Sequence, residues 1–336
     1  MLMVIFGAGA SYDSASSFRP EGYGRDGPCR WRPPLANELF IRLPEFRRHL
    51  ERYPKCLPLV PRLEPPATGS LSLEEQLQRY EEDAKTDPER RRQLTAVQFY
   101  LRDLIANCQG QWLNFTNRVS NYTTLLDDIR RHSGACLVTF NYDTLLDRSL
   151  QDLGINIGSI ENYLDGIFPL IKLHGSIEWE QWVAVKGRRS GELSPNELIN
   201  YGELLKPVGD IKKSGTSPGI HSDVRLFPVP ALAIPVVTKS TFSCPQSHLN
   251  RLGELIPSIT KVLTIGWRGA EQHFLKMLSE NLKTQVGGLV VGGTEEAGAE
   301  TIEKLKNAGV SGDFAVFPGG FSDFIVDRRC ETFLKA

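Results

Sequence analysis

The chain has 336 residues, of which 40% are hydrophobic, and a formal net charge of −1. This length suits one large α/β domain with insertions or two ordinary domains, and the apolar content is ample for a packed core. A nearly neutral chain argues against binding nucleic acid through overall charge. The six cysteines contain no Cys-x-x-Cys pair, so we expect no zinc ribbon and no metal. The apolar stretches are too short to span a bilayer, and we expect a cytoplasmic protein.

The first eleven residues, MLMVIFGAGAS, combine a short apolar run with a glycine-rich turn. This pattern predicts a buried strand that opens into a phosphate-binding turn, because Gly7 and Gly9 allow a tight backbone and close approach of a pyrophosphate. A following helix would direct backbone N–H groups at that anion. Tyr12 stands where the full dinucleotide fingerprint has its third glycine, so an ordinary strand-to-helix turn remains the alternative.

Between this strand and the next, the chain is first loop-like and then helical. Residues 12–34, rich in Gly, Pro, Ser and Arg, predict a long loop, either a lid over a ligand or an exposed connection. Leucines spaced by four over 35–43 predict a short amphipathic helix. Helical periodicity then predicts a helical insertion over 68–133, in which the charged run 87–92 forms a solvated face.

The second half of the chain changes to short apolar runs, several rich in Val and Ile. These runs lie at 135–140, 168–173, 231–237, 261–266, 288–291 and 314–317. Crossover helices are predicted at 271–282 and 295–308. With the first strand, the runs predict an α/β fold with a Rossmann-like, doubly wound, mostly parallel sheet of six or seven strands and an inserted helical subdomain. We expect one domain over 1–336, with a polar loop insertion at 178–230.

Polar or glycine-rich residues follow four of these predicted strands. They are Gly7–Ser11, Asn141–Asp143, His174 and Gly266–Trp267. Because ligands of open α/β sheets bind outside the carboxyl ends of the strands, we expect these tips to meet in one crevice.

Each tip also has a purely structural explanation. Asn141 and Asp143 are residue types that cap helices, and the helix TLLDRSLQ follows them. A single histidine such as His174 is often only a satisfied core residue. Gly266 is compatible with a simple turn and Trp267 with a core position.

Taken together, the motifs GAGAS, NYDTLLD, KLHGSIEW and IGW resemble the sirtuin superfamily over residues 1–293. More narrowly, they resemble prokaryotic sirtuin-like domains that act as NAD+ hydrolases in antiphage defence. The ordered pair NYDTLL and KLHGSI followed closely by Trp is the most specific part of the resemblance. The long loops and the helical insertion match no motif.

The resemblance implies roles for particular residues. The NAD pyrophosphate would be held by Gly7, Ala8, Gly9, Ala10 and Ser11. Asn141 and Asp143 would engage the nicotinamide ribose, with Thr139 lining the pocket. Asn141 would also orient the attacking water, His174 would be the general base, and Gly266 and Trp267 would face the adenosine end. Asn141, His174 and Asp143 are thus the implied catalytic residues, with NAD as substrate.

Two departures separate the chain from the protein-deacylating sirtuins. Those enzymes carry two Cys-x-x-Cys pairs and a glutamine before the asparagine, where this chain has Phe140. We therefore expect an NAD+ glycohydrolase (EC 3.2.2 type) that depletes NAD in antiphage defence. The alternatives are a zinc-free deacylase or ADP-ribosyltransferase, and a non-catalytic NAD or ADP-ribose sensor. The resemblance also implies a protein partner such as a helicase-like ATPase or a short argonaute, and we expect a homo-oligomer gated by assembly.

Overall fold

The structure, a computed structural model, describes residues 1–21, 25–64, 71–185, 192–215, 226–236 and 242–335. The chain divides into two compact units. The first unit comprises Met1–Pro33, Asn107–His174 and Thr238–Ala336, and the second comprises Pro34–Ala106 and Gly175–Val237. The domain boundaries inferred from the sequence stay predictions.

The described residues form strands and helices in the following order. The strands are β1 Leu2–Phe6, β2 Ala135–Thr139, β3 Leu170–Lys172, β4 Gly175–Val185, β5 Leu205–Pro207, β6 Lys212–Lys213, β7 Leu226–Leu232, β8 Lys261–Ile265, β9 Val286–Val291 and β10 Gly312–Phe317. The helices are α1 Ala8–Tyr12, α2 Pro44–Arg52, α3 Val60–Leu63, α4 Leu73–Asp83, α5 Pro88–Phe115, α6 Asn121–Arg130, α7 Leu145–Asp152, α8 Pro195–Asn200, α9 Gln246–Leu255, α10 Gln272–Asn281, α11 Glu295–Asn307, α12 Gly320–Val326 and α13 Arg329–Lys335.

The first unit is built on a six-stranded parallel sheet with the order β10-β9-β8-β1-β2-β3. Numbered within this sheet alone, the order is the 3-2-1-4-5-6 arrangement of the dinucleotide-binding fold. The strand order reverses next to β1, which lies between β2 and β8. The predicted doubly wound α/β fold is confirmed.

The central strand β1 is apolar throughout because both of its faces are covered. All five of its residues are buried, as expected for an inner strand of a parallel sheet. Met3 and Ile5 share a core cluster with Val138 from β2 and Val262 from β8. At the sheet edge, β10 is only partly buried and alternates between more and less exposed residues.

All but one of the apolar runs predicted as strands of the parallel sheet belong to that sheet. The exception is the run at 231–237. The runs at 135–140, 168–173, 261–266, 288–291 and 314–317 coincide with β2, β3, β8, β9 and β10, and α10 and α11 lie at the predicted crossovers. The run at 231–237 instead overlaps the end of β7, which pairs antiparallel with β4 in the second unit. A short apolar run does not by itself reveal its partner, which explains this wrong assignment.

The expected polar loop at 178–230 also contains regular structure where it is described. In the second unit, β4 pairs antiparallel with β5, β6 and β7. Residues 186–191 and 216–225 of this segment lie outside the described residues. The strand forms because Trp179, Val183 and Val185 of β4 bury their side chains.

Both segments of the second unit are joined by hydrogen bonds and ion pairs. Gln98 Nε2 donates to the carbonyl of Leu232 at 2.8 Å, and Arg92 pairs with Glu203. The charged run 87–92 is therefore partly engaged within this unit, contrary to the expected solvated face. The two sequence-distant segments thus form one folded unit.

The amphipathic helix predicted over 35–43 is wrong. Only a 3₁₀ turn, Ala36–Glu38, forms there. Leu43 precedes Pro44, which begins α2, and its backbone is extended with φ −96° and ψ 140°. A proline disfavours helical backbone at the residue before it, so the leucine spacing could not extend a helix to this point.

The connection after α1 is anchored by a buried arginine. Arg32 donates to the carbonyls of Tyr12 and Phe18 at 2.6 and 2.7 Å, and its guanidinium lies 4.9 Å from the centre of the Trp112 ring. Residues 22–24 of the predicted loop lie outside the described residues. No helix in the part of the chain that the structure describes has the length and apolar character needed to cross a membrane.

Candidate functional site

The turns after β1 and β8 touch backbone to backbone where the strand order reverses. Gly7 N donates to the Ile265 carbonyl and Gly9 N to the Gly266 carbonyl, both at 3.1 Å. A Cβ on Gly7 would lie 2.5 Å from Gly266 O, and one on Gly266, at φ +59°, would lie 2.3 Å from Ala10 N. Glycine is therefore required here by contact between the two turns. The N–H groups of Gly7 and Gly9 donate within this contact, and binding of a pyrophosphate by the turn stays a prediction.

Asn141, which follows β2, is held against the turn after β1. Its Nδ2 donates to the Gly7 carbonyl at 2.9 Å and to Ser11 Oγ at 3.0 Å. Its backbone N–H donates to Thr139 Oγ1 at 3.1 Å, which fixes the turn. The Oδ1 atom is buried and has no hydrogen-bond partner among the described residues. The Gly7 carbonyl can only accept a hydrogen bond, so the Asn141 Nδ2 group must face it. The Asn141 Oδ1 atom therefore lies on the opposite side of the amide.

Tyr122 on α6 belongs to the same buried polar cluster, and no sequence signal indicated it. Its hydroxyl lies 2.9 Å from Ser11 Oγ and also accepts from Asn141 Nδ2 at 3.3 Å. Burial raises the pKa of Tyr122 well above its usual value, and the nearby Asp143 charge adds to the shift. The phenol therefore stays protonated at neutral pH. An aromatic residue on the apolar face of a helix would ordinarily be assigned to the core.

Asp143 lies one residue before Thr144, the N-cap residue of α7, and its side chain contacts the first residue of that helix. Its Oδ1 accepts from Leu145 N at 3.0 Å, whereas Asn141 makes no such bond to α7. Burial raises the pKa of Asp143, while the charge of Lys172 and a hydrogen bond from Ser11 oppose that rise. The carboxyl group is thus oriented by the start of α7 and by the Ser11 hydroxyl.

Lys172 on β3 supports the Asp143 segment from inside the protein. Its ammonium group donates to the Asp143 carbonyl at 2.7 Å and to Asp147 Oδ2 at 2.8 Å, and the Lys172 side chain is 0% exposed. One sequence signal indicated this supporting role, a lysine inside the apolar run FPLIKL. A lysine in a buried strand needs hydrogen-bond or charge partners for its ammonium group.

His174, which follows β3, lies within a cluster of aromatic rings. Its ring centre is 4.9 Å from that of Phe140 and 6.2 Å from that of Tyr142. Phe140 is stacked on Trp267 at 5.7 Å with an interplanar angle of 8°. His174 Nε2 lies 3.9 Å from Glu271 Oε1, and Glu271 Oε2 accepts from Trp267 Nε1 at 2.6 Å.

The structure therefore brings the predicted residues of four strand ends together at the carboxyl edge of one sheet. Gly7, Gly9 and Gly266 join β1 to β8, and Asn141 joins β2 to β1. The ring of Phe140, the residue before Asn141, packs on both His174 and Trp267. Ala10 is buried within the first turn, and Ala8 is partly exposed. Their contact with a ligand stays a prediction.

In the described part of the chain, no group of three or more His, Cys, Asp or Glu side chains is arranged to hold a metal ion. The arrangement instead offers an amide oxygen, an imidazole and a carboxylate. These groups can orient a hydroxyl or a water molecule and accept a proton.

No protein-family model matches the chain, and a search of curated proteins finds no relative. Among solved structures, 45 chains match. A Sir2 enzyme from a study of mechanism and regulation matches at 12% identity and a TM-score of 0.40, covering 99% of this chain and 92% of that chain. A mutant Sir2 homologue in complex with ADP-ribose matches at 13% identity and 0.39, with 99% and 91% coverage. Similarity at this level establishes neither the family nor the chemistry of this chain.

Proposed function

We propose that the protein is an NAD+ glycohydrolase, which cleaves the bond between nicotinamide and ribose to give nicotinamide and ADP-ribose. One observation carries the proposal. Asn141 Oδ1 is a buried acceptor without a partner among the described residues, and it lies at the carboxyl edge of a sheet with the dinucleotide-binding strand order. The sequence resemblance indicates that the dinucleotide is NAD. The imidazole of His174 is available as the proton acceptor.

Asn141 is suited to orient the attacking water or a ribose hydroxyl. Its Nδ2 is fixed by Gly7 and Ser11, which leaves Oδ1 as the atom that can accept a hydrogen bond from the substrate or water. Because protein atoms alone hold the amide in this orientation, little reorganisation is needed during the reaction.

His174 would act as the general base. The C1′–N bond breaks with its electron pair going to the nicotinamide nitrogen, which thereby loses its positive charge and needs no proton. Water forms the new C1′–O bond and gives up one proton, which His174 accepts. Imidazole is the side chain best matched to proton transfer near neutral pH.

The test is incubation of the purified protein with NAD+ while nicotinamide release is measured. We expect His174→Ala and Asn141→Ala each to lower the rate by about 10²-fold or more, because they remove the base and the orienting amide. The exposed residues His132 and Asn307 provide matched controls. His132→Ala and Asn307→Ala should keep the wild-type rate, and circular dichroism checks the fold of all four variants. A wild-type rate in His174→Ala would overturn the assignment of the base.

The same assay separates the alternative functions. Formation of acylated ADP-ribose that depends on an acyl peptide would identify a deacylase, and transfer of ADP-ribose to protein would identify a transferase. Tight NAD binding with no nicotinamide release would identify a sensor. Each of these outcomes would replace the proposed hydrolysis.

The sequence resemblance further supports a role in NAD depletion during phage infection, with activation by a protein partner and by homo-oligomer assembly. We expect nicotinamide release to increase when the product of the neighbouring gene is added. Cellular NAD should fall during infection in cells with the wild-type protein and not in cells with His174→Ala.

A further inference from the structure

The carboxylate of Glu271 lies between the indole of Trp267 and the imidazole of His174. Its Oε2 accepts from Trp267 Nε1 at 2.6 Å, and its Oε1 lies 3.9 Å from His174 Nε2. The side chains of His174 and Glu271 are only 6% and 16% exposed. Solvent therefore screens this pair less than it would screen a surface ion pair.

Packing fixes the position of this carboxylate from several sides. Trp267 is stacked on Phe140 and meets Phe274 of α10 edge to face at 5.8 Å. Glu271 directly precedes α10, and its carbonyl accepts from Leu275 N at 3.0 Å. Both the backbone and the carboxylate of Glu271 are thus anchored independently of His174.

We propose that Glu271 is a positioning residue for His174, which holds the imidazole ring in place and stabilises the positive charge that the ring gains during the reaction. This inference rests on the proposed function. When the water oxygen bonds to C1′ and its proton passes to His174, the ring becomes an imidazolium next to a carboxylate, as in hydrolase triads in which an acid orients the base. The electron pair of the broken bond goes to nicotinamide and the proton of the water stays on His174, so Glu271 neither gains nor loses a proton.

Glu271→Gln tests the charge while keeping the shape. The amide oxygen of glutamine can still accept from the Trp267 indole, so a purely structural role for Glu271 would survive this change. We expect kcat for nicotinamide release to fall about 10- to 100-fold while the Kd for NAD+, measured by calorimetry, stays unchanged. Glu271→Asp restores the negative charge and should recover part of kcat. Glu280→Gln makes the same substitution on an exposed part of α10 and should have no effect.

Trp267→Phe provides a second variant that acts on the same carboxylate. Phenylalanine keeps an aromatic ring against Phe140 but removes the N–H that holds Glu271, so we expect a smaller loss of kcat than in Glu271→Gln. If Glu271→Gln does not fold, unchanged kcat in Trp267→Phe overturns the proposal. If Glu271→Gln folds, the positioning role is overturned by a wild-type kcat, or by losses of NAD+ affinity and kcat that are equal in size. In both cases the proposed function stands. A wild-type protein that releases no nicotinamide overturns both.

Discussion

At the scale of single residues, the ion pair between Lys172 and Asp147 supports the site from within the core. Asp147 also accepts from the Tyr163 hydroxyl at 2.6 Å, so three buried polar side chains satisfy one another. Removing one member of such a pair leaves an unpaired charge in the interior. Lys172 of this pair also donates to the Asp143 carbonyl and so fixes the backbone of the segment that carries Asn141.

We expect Lys172→Met to lower the free energy of unfolding by about 3–5 kcal/mol, because Asp147 loses its cation. The double variant Lys172→Met/Asp147→Leu removes both charges and should recover a large part of that loss. Urea unfolding measures both. Lys276, whose side chain is 73% exposed in its pair with Glu280, supplies the control, and Lys276→Met should change stability by less than about 0.5 kcal/mol. Equal effects of the two single variants would contradict the argument.

His248 on α9 gives the protein a predictable response to acid. Burial lowers the pKa of His248 to about 4 from its ordinary 6.5. As the pH falls from 6.5 to 4, the unfolded chain takes up a proton that the folded chain does not, so stability is lost across this window, by about 3 kcal/mol at most. We expect His248→Leu to show a flatter dependence of unfolding free energy on pH in this range. The exposed His132→Ala should keep the wild-type slope, and an unchanged slope in His248→Leu would refute the prediction.

At the scale of elements, the turns after β1 and β8 depend on each other. The sequence indicated Gly7 and Gly9 for a tight turn and for close approach of a pyrophosphate, and the structure adds contact between the two turns as a further requirement for glycine. Gly9 is constrained in the same way as Gly7, because a Cβ on Gly9 would lie 2.8 Å from the Gly266 Cα. A side chain on any of these glycines would separate two adjacent strands at the end that carries the candidate site.

Gly266→Ala should therefore destabilise the protein by at least about 1–2 kcal/mol from the positive φ alone, with a further loss from the clash at Ala10 N. Thermal unfolding measures the effect. Gly253 within α9 has no atom within 4 Å of its would-be Cβ. Gly253→Ala should accordingly stabilise the helix by about 0.5–1 kcal/mol. A Gly266→Ala protein as stable as Gly253→Ala would contradict the proposed contact.

The elements also show what sequence patterns determine. β1, β2 and β8 are inner strands of a parallel sheet, and their unbroken apolar runs were sufficient to predict them. The strand-end rule then indicated Asn141, His174 and Gly266 together. The pairing of β7 with β4 and the placement of Tyr122 and Glu271 near the site depend on contacts between distant segments, and local periodicity gives no signal for such contacts.

At the scale of the whole molecule, two compact units share one chain that passes between them more than once. Along the sequence, the two segments of the second unit lie between strands of the parallel sheet, one between β1 and β2 and the other between β3 and β8. Each unit has its own sheet and its own buried side chains. This organisation predicts separate cooperative units of stability.

Hydrogen exchange followed by mass spectrometry should reveal this division. We expect the slowest exchange in β1 and its neighbours β2 and β8, because these strands are paired on both sides and buried. The edge strand β10 should exchange faster. Peptides from β4 and β7 should form a separate protection class. A single protection class across all strands would contradict two units.

The placement of β1 has a consequence during synthesis on the ribosome. β1 is translated before both of its partners, β2 at 135–139 and β8 at 261–265. At ordinary elongation rates, its apolar segment waits tens of seconds for the second partner to emerge. Until β8 has emerged, at least one edge of the apolar strand β1 has no partner. We therefore expect the nascent protein to need chaperones that cover this segment, and its soluble yield to fall when they are depleted.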